Sequence, residues 1–246
     1  FFLDRLNSEP HALAFAGQST PWPVALADQS ANPALDEALH THAAAAQALL
    51  YPVSAELLAT TGRPVDLFGF EPNPARLGAA AAASASVPGI ALTQLGALLD
   101  AAALGYNPAQ AKPVAVLGHS QGVLAVHMVQ AICEAGSIDA AAAKIDEILA
   151  IATLIGVAGT RQARQLGLAA RHGEATPMLS VKDITRAQVD ALIERVDGAR
   201  GPIAVAVTNS ATHYVLSGYP EDLAAFGVEV AKEHKRQAKL REEKVR

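Results

Sequence analysis

The sequence predicts an α/β protein: a parallel-sheet core followed by a smaller unit of order β-α-β-β-α. Three observations point there. Two short apolar runs, ALAFAG at 12–17 and PVAVLG at 113–118, read as strands, and helix-like segments follow each of them. Strands that alternate with helices pair in parallel, with the helices covering the sheet. The chain has 246 residues and is 51% apolar, so it can bury a sizeable core. After about residue 176 the texture changes to short strands and two charged helices, which divides the chain into 1–175 and 176–246.

In order along the chain, residues 1–12 form a short amphipathic lead-in. The first strand runs into Gly17 and the polar turn Gln18-Ser19-Thr20-Pro21. Residues 34–61 are Ala- and Leu-rich and read as helix, and 64–76 is punctuated by Pro and Gly and reads as loop. Alanine runs such as 79–83 are helix-forming rather than linker. Residues 85–105 form a helix that Pro88 starts and Gly105 ends. The strand 113–118 is continuously apolar, as in the middle of a parallel sheet. Helices follow at 123–136, closed by Gly136, and at 138–167. In the second unit, PMLSVKD is a strand. ITRAQVDALIERV is a helix capped by Asp183 or Thr185. PIAVAVTNS and HYVLSG are strands, and a helix begins near Pro220. This order is that of a ferredoxin-like subdomain without its last strand. With a first residue other than Met, it predicts a piece of a longer chain, cut before that strand.

Composition excludes several classes. A net charge of −5 lacks the basic face that nucleic acid requires. Gly, Pro or polar residues interrupt every apolar stretch before the ~18 residues of a membrane span, and no signal peptide precedes the first strand. Cys133 is alone, which excludes an internal disulfide and a cysteine metal cluster and fits a cytoplasmic protein. No HExxH and no GxxxxGK[ST] is present, so neither a metal nor a bound cofactor is expected.

The chemistry is carried by VAVLGHSQGVLAV, 114–126, which places Ser120 in a Gly-x-Ser-x-Gly motif between a strand and a helix. That is a nucleophile elbow. Gly118 and Gly122 make the sharp turn possible, and the turn lifts the serine out of the sheet at a helix N-terminus. The amide of Gln121 then points at a developing oxyanion. The expected base is less plain. The sequence has eight histidines. His119 adjoins the nucleophile and leaves the turn in another direction, so it lines the pocket. His127 reads as a packed helix residue, and His11, His40, His42, His172 and His234 read as exposed. His213, in the turn before a strand, is the first of the eight to test as a base.

Taken together, GQSTPW (17–22), SVPGIALTQ (86–94), GHSQGVLAV (118–126) and LIGVAGT (154–160) resemble the N-terminal acetyltransferase domain of actinobacterial type I fatty acid synthases, within the malonyl-CoA:acyl-carrier-protein transacylase family. The resemblance runs over nearly the whole chain. It implies an α/β-hydrolase-like core with an inserted ferredoxin-like subdomain, and ping-pong transfer through an acyl-serine. Coenzyme A thioester is then the substrate. The acceptor is the phosphopantetheine thiol of an acyl carrier protein, a domain of the same homo-oligomeric synthase. It implies that Ser120 is the nucleophile and that the backbone amides of Gln18 and Gln121 form the oxyanion hole. It also implies that Asn209 lies near the active site and that the catalytic histidine follows the missing strand, beyond Arg246. One departure is Ser19, where the family has glycine, which requires a negative φ there.

Malonyl-specific members carry an arginine that pairs with the substrate carboxylate. Alignment places Ile155 at that position, and an unpaired buried carboxylate is costly. Acetyl-CoA is therefore the expected donor, with Arg161 or Arg164 as the alternative source of a malonyl partner. Other readings remain open at this point: a malonyl/palmitoyl transferase domain, a serine esterase or thioesterase, and a catalytically silent fragment of a synthase wall.

Overall fold

The structure, a computed structural model, describes residues 2–17, 21–61, 68, 83–165, 177–196 and 200–245. The chain divides into two compact units, Phe1–His172 and Gly173–Arg246. The fold class is mixed α/β, with a parallel pair in the first unit and an antiparallel sheet in the second.

In the first unit, helix α1 (Phe2–Ser8) leads into strand β1 (Ala12–Phe15). Helices α2 (Trp22–Ser30), α3 (Pro33–Leu49) and α4 (Ser54–Thr61) follow. Helix α5 (Ala83–Ala103) and the single turn α6 (Pro108–Ala111) lead to strand β2 (Ala115–Gly118), and helices α7 (Gly122–Ala135) and α8 (Ala142–Gln165) complete the unit. β1 and β2 pair in parallel, Ala12 opposite Ala115 and Phe15 opposite Gly118. Leu13, Phe15 and Val116 pack against a core built on Trp22, Leu39, Leu92, Leu95, Met128 and Ile145. Each such side chain contributes about 1.5–3 kcal/mol by leaving water.

Three expectations are corrected here. β2 is covered on one side rather than both: Leu117 is 59% exposed while Val116 packs on the core. The helix expected to start at Pro88 begins at Ala83, and Pro88 lies inside it. It sits close enough to the N-terminus to cost a single backbone bond. α5 also runs unbroken for 21 residues with a mean hydropathy of 1.2, enough by length and composition to cross a membrane. Two thirds of that apolar stretch (67%) is buried within the protein, so α5 is the core helix. The predicted stops hold, with Gly105 at φ +93° and Gly136 at φ +90° after α5 and α7. The loop expected at 64–76 lies outside the described residues except for Phe68.

The second unit runs through strand β3 (Met178–Lys182), helix α9 (Arg186–Val196), strands β4 (Ala204–Ser210) and β5 (His213–Ser217), and helix α10 (Pro220–Val245). Its sheet order is β3-β5-β4, antiparallel throughout, with irregularities in β4 at Val205/Val207 and Thr208/Ser210. Val181, Tyr214 and Leu216 of the sheet form a core with Val189, Leu192 and Phe226 of the two helices. Of the two caps proposed for α9, Thr185 is the one used. Its Oγ1 accepts from the Gln188 amide (3.4 Å), and the Gln188 side chain accepts from the Thr185 amide (2.9 Å), a reciprocal capping box. Asp183 instead takes a left-handed conformation, φ +56°.

Candidate active site

Ser120 sits in the turn between β2 and α7 at φ +54°. A side chain in the left-handed region costs roughly 1–2 kcal/mol, so neighbouring contacts must hold it there. They are backbone bonds. The His119 amide donates to the Phe15 carbonyl (3.0 Å), the Gly122 amide to the His119 carbonyl (2.9 Å), and the Val123 amide to the Ser120 carbonyl (3.2 Å). The two motif glycines are there for space. A β-carbon at Gly118 would lie 2.5 Å from the Gly122 carbonyl, and one at Gly122 would run into the Phe15 carbonyl. The result is an exposed serine directly before the N-cap residue Gln121 of α7.

Gly17, the residue that follows the end of β1 by two, closes over this serine. A β-carbon on it would be 2.7 Å from the His119 carbonyl oxygen and 3.3 Å from Ser120 Oγ. Gln18, expected to supply the second oxyanion amide, and Ser19 lie outside the described residues. Gln121 stands at the N-cap of α7, and its side-chain amide is buried with neither Nε2 nor Oε1 hydrogen-bonded. His119 keeps an exposed side chain.

The four sequence segments quoted above meet in the first unit. Gln94 on α5 donates from Nε2 to the Ala16 carbonyl (2.5 Å). Gly89, one turn earlier, lies against the indole of Trp22, where a β-carbon would be 2.5 Å from ring atoms. At the start of α5, the Ser84 amide donates to Thr160 Oγ1 on α8 (2.9 Å), and Gly156 lets the backbone of α8 approach Ala83. The sequence groups these segments by resemblance alone, with no contact between them assigned. Their contacts join residues 76 and 78 positions apart.

Ile155 lies on α8, 52% exposed, in one stripe with Ile151 and Leu154. Of the two alternative arginines, Arg161 pairs with Glu56 of α4, and the Arg164 side chain lies outside the described set. Four other histidines have partners elsewhere. His11 binds Tyr106 Oη (2.7 Å), His40 the Asp36 carbonyl (2.9 Å), and His42 the Asp146 carboxylate (2.6 Å). His234 binds the Lys182 carbonyl (2.9 Å). His127 is exposed on α7, and His172 is not among the described residues.

In the second unit, Asn209 and His213 come together with a residue the sequence did not single out. Ser180 Oγ lies 2.9 Å from His213 Nε2, and Asn209 Nδ2 lies 3.4 Å from the same nitrogen. Strand pairing brings Ser180 and His213, 33 positions apart, to one face of the sheet, opposite the buried Val181 and Tyr214. Among the described residues no group of three or more His, Cys, Asp or Glu is arranged to hold a metal. Burial and the nearby Glu134 push the thiol of Cys133 up from its ordinary value, away from the thiolate that a second nucleophile would need.

The profile of a family described as "Starter unit:ACP transacylase in aflatoxin biosynthesis" matches residues 71–244, which include the elbow and most of the second unit. The chain belongs to this transacylase family. Among curated relatives, the fatty acid synthase beta subunit hexB of Dothistroma septosporum is 30% identical over 128 residues. That match covers 47% of this chain and 7% of the relative. Among solved structures, the malonyl-transacylase complex with its type II PKS acyl-carrier protein, PlMCAT:AntF, matches with a TM-score of 0.51 and 16% identity. It covers 92% of this chain and 60% of that one. The malonyl CoA-acyl carrier protein transacylase of Coxiella burnetii matches with a TM-score of 0.50, 16% identity, and coverage of 92% and 58%. The transacylase member described here therefore shares the fold of these enzymes and spans under two thirds of their length.

Proposed function

We propose that this transacylase-family chain is the acetyltransferase domain of a fatty acid synthase. It takes acetyl from acetyl-CoA onto Ser120 and passes it to the phosphopantetheine thiol of an acyl carrier protein. The observation that supports this most directly is the strained Ser120, φ +54°, under the backbone of Gly17 and at the start of α7. Ser120 Oγ attacks the thioester carbonyl as its proton passes to the base. The oxyanion is held by the amides of Gln121 and, in this reading, Gln18. The carbon–sulfur bond breaks, and coenzyme A leaves with the proton. The phosphopantetheine thiol then repeats the steps in reverse. The resemblance, rather than any contact seen here, assigns the base to a histidine that follows the last strand of the subdomain; five histidines of this chain place a ring nitrogen on other partners. An uncharged acyl group is favoured because the position aligned with the malonyl-binding arginine is Ile155, and Arg161 is held by Glu56.

The test is intact-protein mass spectrometry after mixing with acetyl-CoA and, separately, malonyl-CoA. An adduct of 42 Da (~42, one acetyl for one proton) that vanishes in Ser120→Ala supports the reading. A malonyl adduct that forms equally fast overturns the acetyl preference. Hydrolysis of the adduct without transfer to a carrier protein would make the protein an esterase.

A further inference from the structure

We propose that Gln94 is a positioning residue for the acylation step, acting through the Ala16–Gly17 peptide. The proposal rests on the reading of Ser120 as the acylated serine. Gln94 is 8% exposed on α5, among the buried Leu92 and Leu95. A leucine or methionine there would cost nothing in desolvation, whereas the glutamine leaves Oε1 buried without a hydrogen bond. What the amide does is donate to the Ala16 carbonyl (2.5 Å).

That carbonyl belongs to the peptide that enters Gly17, and Gly17 is the residue pressed against Ser120. A glycine has the freest backbone in the chain. With no side chain to lock it, the orientation of its peptides must be set from outside. The Phe15 carbonyl, one residue earlier, is already taken by the His119 amide. The Ala16 carbonyl is the next main-chain acceptor after the strand end, and Gln94 fixes the plane of the Ala16–Gly17 peptide. On the far side, the same helix meets the chain again at Trp22 through Gly89, and Gln29 of α2 donates to the Thr93 carbonyl (2.9 Å). α5 therefore grips the chain before Gly17 and after Pro21. Of these contacts made by α5, the Gln94 bond is the one to the peptide beside the nucleophile.

The experiment compares wild type with Gln94→Met, which keeps the volume and removes the donor, and with Gln29→Met. The Gln29→Met variant removes an equivalent bond from the same helix without touching Ala16. Acylation of Ser120 is followed by intact mass with acetyl-CoA and with p-nitrophenyl acetate, alongside Tm and the ¹⁵N resonance of the Gly17 amide. Gln94→Met is expected to acylate at least about tenfold more slowly with both reagents, with the KM for acetyl-CoA unchanged. The Gly17 resonance shifts in Gln94→Met, and Gln29→Met changes neither rate nor resonance. If the ester acylates Ser120 and no CoA thioester does, the transferase reading falls, and the ester rates still judge Gln94. If neither reagent acylates Ser120, the reading on which the proposal rests falls, and the proposal falls with it. Equal rates, an unmoved resonance, or an equal loss in Gln29→Met overturns it.

Discussion

Gly17 and Ser120 are in contact across the end of the parallel pair: a β-carbon on Gly17 would stand 2.8 Å from Ser120 Cβ and 2.7 Å from the His119 carbonyl oxygen. Both neighbours are fixed by the elbow, so Gly17 has no slack to give. Gly17→Ala is expected to lower the acylation rate of Ser120 by about a hundredfold or more, comparable to removing an oxyanion donor. Stability falls less, by about 1–3 kcal/mol of overpacking. Intact-mass kinetics and urea unfolding read the two effects separately.

The left-handed Ser120 predicts that removing the nucleophile can stabilise the protein. Ser120→Gly removes both hydroxyl and strain, whereas Ser120→Ala removes only the hydroxyl. Both variants lose acylation. The glycine variant is expected to be about 1 kcal/mol more stable than the alanine variant, after the entropy of glycine in the unfolded chain is set against the relieved strain. Equal unfolding midpoints would contradict the strain.

Ile155 is half exposed, so an arginine can replace it without a core penalty. Ile155→Arg is expected to change stability by less than about 0.5 kcal/mol and to raise the ratio of malonyl to acetyl adduct by tenfold or more (roughly 1.4 kcal/mol). Competition between the two thioesters, read by mass, gives that ratio directly.

The second unit carries an acid-sensitive contact. Arg236 grips the Glu233 carboxylate with two bonds of 2.8 Å, and Gln188 of α9 adds a third at 3.0 Å. The hydrogen bonds from Arg236 lead in lowering the Glu233 pKa to about 2. An unfolded glutamate titrates near ~4.3. A depressed carboxylate stabilises the fold above the unfolded value, and the contribution is lost as pH falls through the folded one. Stability of this unit should therefore decline between about pH 4.3 and 2, and Glu233→Gln should flatten that decline in a urea-midpoint series.

Much of this was legible from local signals. Strand, elbow and helix around Ser120 follow from an apolar run, two glycines and a serine in fixed order. Gly105, Gly136 and Thr185 end or begin helices where the sequence placed them. What was not legible depends on distant partners. Pro88 inside α5 is tolerated because the helix gains a turn before it, where Thr160 of α8 receives the Ser84 amide. The pairing of Ser180 with His213 arises from the β3–β5 register, and the bond of Gln94 to Ala16 crosses 78 residues. Neither has a short-range signature. Gln18 remains an assignment by resemblance, since it lies outside the described residues.

The sheet order β3-β5-β4 also has a meaning for synthesis. Among the described residues β3 and β4 make no ladder with each other, and each pairs with β5, the last of the three to be made. As the chain leaves the ribosome, the two outer strands wait with unsatisfied edges until Ser217 has emerged, and the sheet then closes from its centre outward. Stalling translation before β5 should leave this unit open to protease while β1 and β2 are already paired.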